Sequence, residues 1–267
     1  MADLTGLSPV DLLALAAHPD DVELSCAGTV IAAKRAGKRT AIVDLTLGEL
    51  STRGNLESRA RETDEATQIM QLDHRLNLRI PDGGVQVTDE YTTRLIRVLR
   101  ALRPRILLTP HKEERHPDHE NASKLAHRAV FLSGLVNVPT QDDEGKPQEP
   151  FRPLLVLQYM QTYTFEPRII VDVSEVMPDR MLAMQAYSSQ FARPKNQPSR
   201  VGTGRETVED KKLEPVTFLT QSGFYEWIEA RARAYGMIIG AEFGEPFWTH
   251  EPLGVKDVFS LLTKKVA

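Results

Sequence analysis

The chain has 267 residues, of which 41% are hydrophobic and 26% are charged, a composition typical of a globular protein. Its net charge of −4 argues against nucleic acid as a partner, because nucleic-acid binders usually carry a basic face. The single cysteine, Cys26, excludes an internal disulfide and a cysteine-rich zinc site, while the lack of a signal peptide or of an apolar span of roughly 20 residues predicts a soluble cytoplasmic protein.

Strand-like and helix-like segments alternate through the first half of the chain. Strands are predicted at Asp11–Ala17, Thr40–Thr46, Arg75–Ile80 and Arg105–Thr109. Helices are predicted at Gly28–Ala36, Glu57–Leu72, Asp89–Leu102 and Pro117–Phe131. Such alternation, with nearly continuous apolar strands, predicts an α/β fold with a mostly parallel sheet and helices on both faces. A Rossmann-like arrangement is the expected result.

The second half contains two polar, proline-rich segments. Pro139–Pro153 is predicted to be a surface excursion, and Arg193–Pro215 to be either a lid ordered by substrate or a disordered surface loop. The remaining elements are the predicted strands Leu154–Met160 and Arg168–Val173 and the predicted helices Glu175–Phe191 and Phe224–Ile239. Because no internal repeat or long linker divides the chain, we expect one domain over residues 1–267.

Two tetrapeptides have the same pattern and the same predicted setting: His18-Pro19-Asp20-Asp21 and His116-Pro117-Asp118-His119. Each follows a predicted strand and begins a predicted helix, with proline at the first helical position and an acidic residue in the first turn. Either tetrapeptide alone is equally compatible with a well-formed helix start and no chemistry.

Together the two tetrapeptides indicate a metal site. The carboxyl edge of a parallel sheet is where open α/β folds bind ligands, so both tetrapeptides should meet there. Two histidines and one carboxylate, His18, His119 and Asp21, leave one position open, which is the ligand set of a catalytic zinc site. Asp20 and His116 then remain for acid–base chemistry.

These tetrapeptides resemble the two signature motifs of the PIG-L/LmbE-like zinc-dependent N-deacetylases. Further segments resemble the bacillithiol-biosynthesis branch, which removes acetyl from N-acetyl-α-D-glucosaminyl L-malate. They are Leu45–Arg59, Ile80–Gly84, Tyr187–Phe191 and the stretch from Glu229 to Glu242. One departure is the extra polar length at Gln141–Pro150, which bears on the rim of the site.

The resemblance implies a role for each matching position. His18, Asp21 and His119 match the zinc ligands, and Asp20 matches the general base. Next to a ligand, the Asp20 carboxylate can reach a metal-bound water whose pKa zinc lowers to roughly 7. The other matches are His116, which stabilises the oxyanion or protonates the leaving amine, Asp118, which orients His116, and Arg59, which binds substrate. Arg115 is a second candidate for substrate binding because it adjoins His116.

Simpler interpretations exist for several of these residues. Asp118 could be a plain helix-dipole carboxylate, and Arg59 a solvated helix arginine. Cys26 is expected to be a small buried residue in the loop after the first motif, and His111 has no motif partner.

Other functions and partners compete with the deacetylase. A dinucleotide-binding module is disfavoured, because no Gly-x-Gly-x-x-Gly follows the first strand. A non-enzymatic metal- or sugar-binding protein would need neither Asp20 nor His116, and another N-acetylglucosamine derivative could replace the malate glycoside. Iron(II) could occupy the same ligands as zinc. The expected partner is an amino-sugar glycoside, without nucleic acid or membrane, and the resemblance implies a homo-oligomer, often a hexamer.

Overall fold

A computed structural model describes residues 3–191, 217–221 and 223–261. Its strands are β1 (Leu12–Ala16), β2 (Thr40–Asp44), β3 (His74–Asn77), β4 (Ile106–Pro110), β5 (Leu155–Tyr159), β6 (Ile169–Asp172) and β7 (Gly244–Trp248). Its α-helices are α1 (Asp21–Ser25), α2 (Ala27–Arg35), α3 (Leu56–Met70), α4 (Asp89–Leu102), α5 (Pro117–Ser133), α6 (Met177–Gln185) and α7 (Phe224–Ile239). The predicted segment Arg193–Pro215 lies outside the described residues.

The strands form one seven-stranded sheet in the order β3-β2-β1-β4-β5-β7-β6. The five strands from β3 to β5 pair in parallel, while β7 is antiparallel to both of its neighbours. The predicted α/β fold with a mostly parallel sheet is therefore confirmed. The order of strands reverses between β1 and β4, which is where such sheets leave a crevice for ligands.

Strand β1 shows why the sheet is covered on both faces. Its five residues are all buried, and successive side chains point to opposite sides. Leu13 and Leu15 join the core beneath α4 and α5, whereas Leu12, Ala14 and Ala16 join the core beneath α2 and α6. The continuous apolar run that predicted a buried parallel strand thus packs into a hydrophobic core on each face of the sheet.

The structure corrects the prediction of one long helix over Glu175–Phe191. A 3₁₀ turn over Ser174–Val176 precedes α6, and α6 ends at Gln185. The chain then leaves the helix because Glu62 of α3 accepts hydrogen bonds from the backbone N–H of Ser189 at 2.6 Å and from its hydroxyl at 2.8 Å. Residues 186–191 are consequently a loop that faces the site.

Strand β7 was not predicted, because Gly244 and Pro246 interrupt its sequence pattern. The ladder to β5 includes only Phe247 and Trp248, so Pro246 is not required to donate a hydrogen bond to that neighbour. The strand places the carboxylate of Glu245 at the first turn of α2, where it accepts hydrogen bonds from the backbone of Gly28 and Thr29.

Two smaller predictions can also be compared with the structure. Cys26 is fully buried, as expected for a small packing residue, although it lies at the junction of α1 and α2 instead of in a loop. Pro139–Pro153 packs on α4, where Arg97 donates to the carbonyl of Gln141 at 2.7 Å, and none of its residues lines the site cavity. No helix among the described residues is both long and apolar enough to cross a bilayer.

Candidate active site

A cavity of about 260 Å³ lies at the carboxyl edge of the sheet, where the order of strands reverses. The tetrapeptides follow β1 and β4 into it, so the strands themselves bring the two motifs together. Most of the predicted site residues line this cavity, namely His18, Asp20, Asp21, Arg59, Arg115, His116 and His119. Asp118 lies behind this wall, with its side chain almost fully buried.

The three predicted metal ligands converge. Nδ1 of His18 lies 3.2 Å from Nε2 of His119, which in turn lies 3.2 Å from Oδ1 of Asp21. The other carboxylate oxygen of Asp21 is 3.6 Å from Nδ1 of His18. A tetrahedral ion about 2.0–2.1 Å from each ligand needs ligand atoms roughly 3.3–3.4 Å apart. The separations from His18 to His119 and from His119 to Asp21 are therefore close to those around a small divalent cation, whereas Asp21 faces His18 with its other oxygen.

The electrostatics of the cluster also fit a cation. Burial alone would lower the pKa of the His18 ring, but hydrogen bonds to surrounding carboxylates raise it well above its usual value. Burial would raise the pKa of Asp21, yet the imidazoles of His119 and His18 hold it well below its usual range. The carboxylates around His18 are those of Asp21, Asp82 and Asp118. A divalent cation would balance this concentration of negative charge.

Asp82 is a site residue that the sequence prediction missed. Its Oδ1 lies 3.0 Å from Nε2 of His18, and its Oδ2 accepts a hydrogen bond from the backbone of Leu50 at 2.9 Å. Although burial would raise the pKa of Asp82, its hydrogen bond with His18 lowers that pKa to about 2. By occupying Nε2 of His18, Asp82 leaves Nδ1 for an ion. Its position just beyond the predicted strand Arg75–Ile80, at the same sheet edge, was the available signal.

The sequence predicts that Asp118 orients His116, but the structure places the Asp118 carboxylate elsewhere. It accepts hydrogen bonds from the backbone of Gly83 at 2.8 Å and of Val85 at 3.2 Å, and it lies 3.4 Å from Nε2 of His18. Asp118 therefore holds the loop that carries Asp82 and supports His18.

His116 is oriented by the backbone of its own helix. It is the N-cap residue of α5, and its Nδ1 accepts a hydrogen bond from the N–H of Asp118 at 3.2 Å. In a neutral ring this assigns the proton to Nε2. Burial lowers the pKa of His116, and the neighbouring imidazoles of His18 and His119 lower it further. The ring stacks on His119 with 5.0 Å between centroids, so a neutral hydrogen-bond donor lies beside the three converging ligands.

Asp20 has an unusual backbone conformation next to the ligands. It is the N-cap residue of α1, with φ of 109° and ψ of −22°, a backbone conformation that residues other than glycine rarely adopt. Burial raises the pKa of Asp20 to about 7, while the guanidinium of Arg59, 3.6 Å away, opposes that shift. Asp20 and Asp21 thus have opposite electrostatic environments although they are adjacent in sequence.

Arg59 is buried instead of solvated. Its guanidinium donates to the carbonyl of Pro19 at 2.6 Å, while its Nε and Nη1 atoms are buried without a hydrogen-bond partner among the described residues. It lies against Gly48, where a Cβ would come within 2.7 Å of Nη2. Arg115 also lines the cavity, but its side chain is exposed.

Gln161 is a second residue that the sequence prediction missed. Its side-chain amide donates to Oδ1 of Asp21 at 2.6 Å, which fixes the orientation of that carboxylate. Gln161 immediately follows the predicted strand Leu154–Met160, so its place at the sheet edge was foreseeable, although a lone glutamine gave no chemical signal. His111 lies apart from the cluster and contacts Phe165, with 4.6 Å between ring centroids.

Comparison with known proteins agrees with this geometry. Residues 13–130 match the family model PIG-L, described as GlcNAc-PI de-N-acetylase. The chain contains a PIG-L family domain. The matched segment includes both tetrapeptides and Asp82. The predicted family and the predicted class of amide hydrolase are thereby confirmed, and deacetylases of this family are metal-dependent.

Individual relatives extend the similarity beyond the matched segment. A diacetylchitobiose deacetylase from Thermococcus kodakarensis is 29% identical over 67% of this chain and 70% of its own length. A probable N-acetyl-α-D-glucosaminyl L-malate deacetylase 2 from Bacillus anthracis is 28% identical over 78% of this chain and 91% of its own. The crystal structure of the conserved protein TT1542 from Thermus thermophilus is 36% identical, with a TM-score of 0.77, covering 92% and 97% of the two chains.

Proposed function

We propose that the protein hydrolyses the N-acetyl group of an N-acetylglucosaminyl glycoside, with a zinc ion held by His18, Asp21 and His119. The observation that carries this proposal is the convergence of these three side chains, with contacts of 3.2–3.6 Å between them, beside the buried carboxylate of Asp20. Three protein ligands leave a position open for chemistry, as in catalytic zinc sites and unlike closed structural sites. Iron(II) is the alternative ion for this ligand set.

The side chains around the ligands divide the reaction between them. A bound divalent ion would supply Lewis acidity toward the amide carbonyl and the attacking water. Asp20 accepts the proton of that water, because it adjoins a ligand without occupying a ligand position itself, and it returns the proton to the amine nitrogen as the C–N bond breaks. Nε2–H of His116 donates a hydrogen bond to the carbonyl oxygen as negative charge develops on it. Asp82 and Gln161 hold His18 and Asp21 in place, so that the ligands need not reorganise.

For the substrate, we propose N-acetyl-α-D-glucosaminyl L-malate. The similarity to the Bacillus anthracis relative supports this choice, since it extends over 91% of that protein. Arg59 and Arg115 both line the cavity and remain the proposed contacts to substrate. The proposal includes one catalytic domain over residues 1–267 and assembly as a homo-oligomer, with the hexamer implied by the sequence resemblance.

The experiment that tests this function measures acetate release from the malate glycoside and from free N-acetylglucosamine, with the metal content determined in parallel. Asp20→Asn should keep the metal and lower turnover about a hundredfold or more, because a general base is lost. Asp64→Asn, the same change at an exposed position of α3, is the matched control and should alter neither quantity.

Two results would contradict the assignment. If Asp20→Asn loses metal and activity together, Asp20 is a ligand and the roles of the two aspartates are exchanged. If the unmodified, metal-loaded protein releases acetate from neither compound, the proposed deacetylase activity on N-acetylglucosaminyl substrates is wrong.

A further inference from the structure

Arg231 on α7 lines the cavity and was not among the predicted substrate contacts. Its guanidinium is held in place by backbone carbonyls, since Nη1 donates to the carbonyl of Gln161 and Nη2 donates to that of Leu24 at 3.1 Å. The guanidinium carbon also lies 4.7 Å from the centre of the Trp227 ring. These contacts fix the orientation of the cation but leave its charge uncompensated.

The carboxylate with the largest electrostatic effect on Arg231, that of Glu245, is already engaged. Glu245 lies 3.1 Å from Nε of Arg180 and also accepts hydrogen bonds from Gly28 and Thr29. Two arginines thus share one carboxylate, and within the described parts of the chain Arg231 has no acidic partner of its own. Burial lowers the pKa of Arg231 to about 10, and the positive charge of Arg180 adds to this effect. The cluster therefore presents a surplus positive charge to the cavity.

Arg59 differs from Arg231 in this respect. Its guanidinium lies 3.6 Å from the carboxylate of Asp20, so it has an acidic neighbour of its own, and its side chain is only 4% exposed. An anionic group entering the cavity would have to compete with Asp20 for Arg59. At Arg231 it would meet a cation whose desolvation is not yet compensated.

We propose that Arg231 is a specificity-determining residue, which binds a carboxylate on the aglycone of the substrate. The inference rests on the proposed function and assigns the anionic part of the substrate to α7. A guanidinium has five N–H donors in a planar fork, and the two backbone carbonyls leave donors that match a carboxylate. The side chain thereby selects glycosides with an acidic aglycone over neutral ones.

The experiment compares two substrates on the zinc-loaded full chain: N-acetylglucosaminyl L-malate, which is anionic, and methyl N-acetylglucosaminide, which is neutral. Arg231→Gln should lower kcat/KM for the malate glycoside about ten- to a hundredfold more than for the methyl glycoside, mainly through KM. Arg231→Lys keeps the charge without the fork, so it should give a smaller loss of preference.

The matched control is Arg233→Gln on the same helix. Arg233 is exposed and pairs with Glu229 and Glu242, so its replacement should leave the preference for the malate glycoside unchanged. Because Arg231 also holds two backbone carbonyls, some loss on both substrates is expected in Arg231→Gln, and the ratio between them is the decisive quantity.

The remaining outcomes would contradict the proposed role of Arg231. Equal losses on both substrates would make Arg231 purely structural, and an unmodified enzyme without preference for the anionic glycoside would refute the subsite. If neither compound is hydrolysed, the proposed function fails, but calorimetric binding of the malate glycoside still tests the subsite. In that case, unchanged affinity in Arg231→Gln would overturn the inference.

Discussion

The two ring nitrogens of His18 have different partners, and these partners determine the orientation of the ring. Nδ1 faces Asp21 and His119, whereas Nε2 is bound by Asp82. A carboxylate on the far nitrogen of a metal-binding histidine fixes both its tautomer and its orientation. Asp82 should therefore affect metal binding although the proposed ligand set does not include it.

We predict that Asp82→Ala weakens zinc affinity about ten- to a hundredfold, because the His18 ring loses its anchor. Competition with a chelator of known affinity measures the change directly, without reference to catalysis. Asp64→Ala, at an exposed position of α3, should leave the affinity unchanged. An unaltered zinc affinity in Asp82→Ala would mean that Asp118, 3.4 Å from the same nitrogen, is sufficient to orient His18.

At this scale, the sequence revealed the residues with a distinctive chemistry and missed those that hold them. His18, Asp21 and His119 could be proposed because two histidines and an aspartate recur at helix starts beyond strands. Asp82 and Gln161 gave no such pattern, since a single aspartate or glutamine in a loop is common on any surface. Their roles depend on which loops meet at the sheet edge, which requires the strand order.

Among the secondary-structure elements, α2 depends on a strand from the other end of the chain. Glu245 of β7 accepts hydrogen bonds from the second and third residues of α2, at 2.9 Å from Gly28 and 2.7 Å from Thr29. Gly28 permits this approach, because a Cβ there would lie 2.8 Å from Oε1 of Glu245. The carboxylate satisfies N–H groups that a helix start leaves without partners, and it balances Arg180.

We predict that Glu245→Gln destabilises the protein by about 3–5 kcal/mol, because it leaves the buried cation of Arg180 unpaired. Urea unfolding of both proteins gives the difference in free energy of unfolding. Glu229→Gln makes the same change in an exposed pair with Arg233 on α7, and should cost less than about 1 kcal/mol. Similar small effects of both substitutions would refute the stabilising role of the buried ion pair between Glu245 and Arg180.

The elements themselves were predicted where periodicity was undisturbed. Helix α4 has the predicted bounds Asp89–Leu102, because its apolar positions recur at helical spacing between a threonine cap and Arg103 in a left-handed conformation. Strand β7 was missed because Gly244 and Pro246 obscure its pattern, and α6 was overextended because Glu62 ends it from another helix. The first error comes from the local sequence, and the second comes from a tertiary contact, which a local pattern does not contain.

In the molecule as a whole, the proposed metal ligands connect distant parts of the chain. Asp21 is the first residue of α1, and His119 lies in the first turn of α5, on the opposite side of the sheet. They meet only when β1 and β4 pair as neighbours in the folded sheet. An ion bound to both therefore has high affinity for the folded chain alone, and its binding free energy adds to the stability of the fold.

We predict that zinc raises the unfolding temperature of the metal-free protein. Free zinc at a hundred times its dissociation constant should stabilise the folded chain by about 2.7 kcal/mol, which for a protein of this size corresponds to a rise of roughly 5–10 °C. Thermal unfolding with chelator and with buffered zinc measures the shift. In His119→Ala most of this rise in unfolding temperature should disappear. The two ligands that remain, His18 and Asp21, both follow β1, so a bound ion no longer links β1 to β4. If the variant shows the full rise, the stabilising zinc is bound elsewhere on the chain. If the unmodified protein shows no rise, the three side chains do not form a zinc site that depends on the fold.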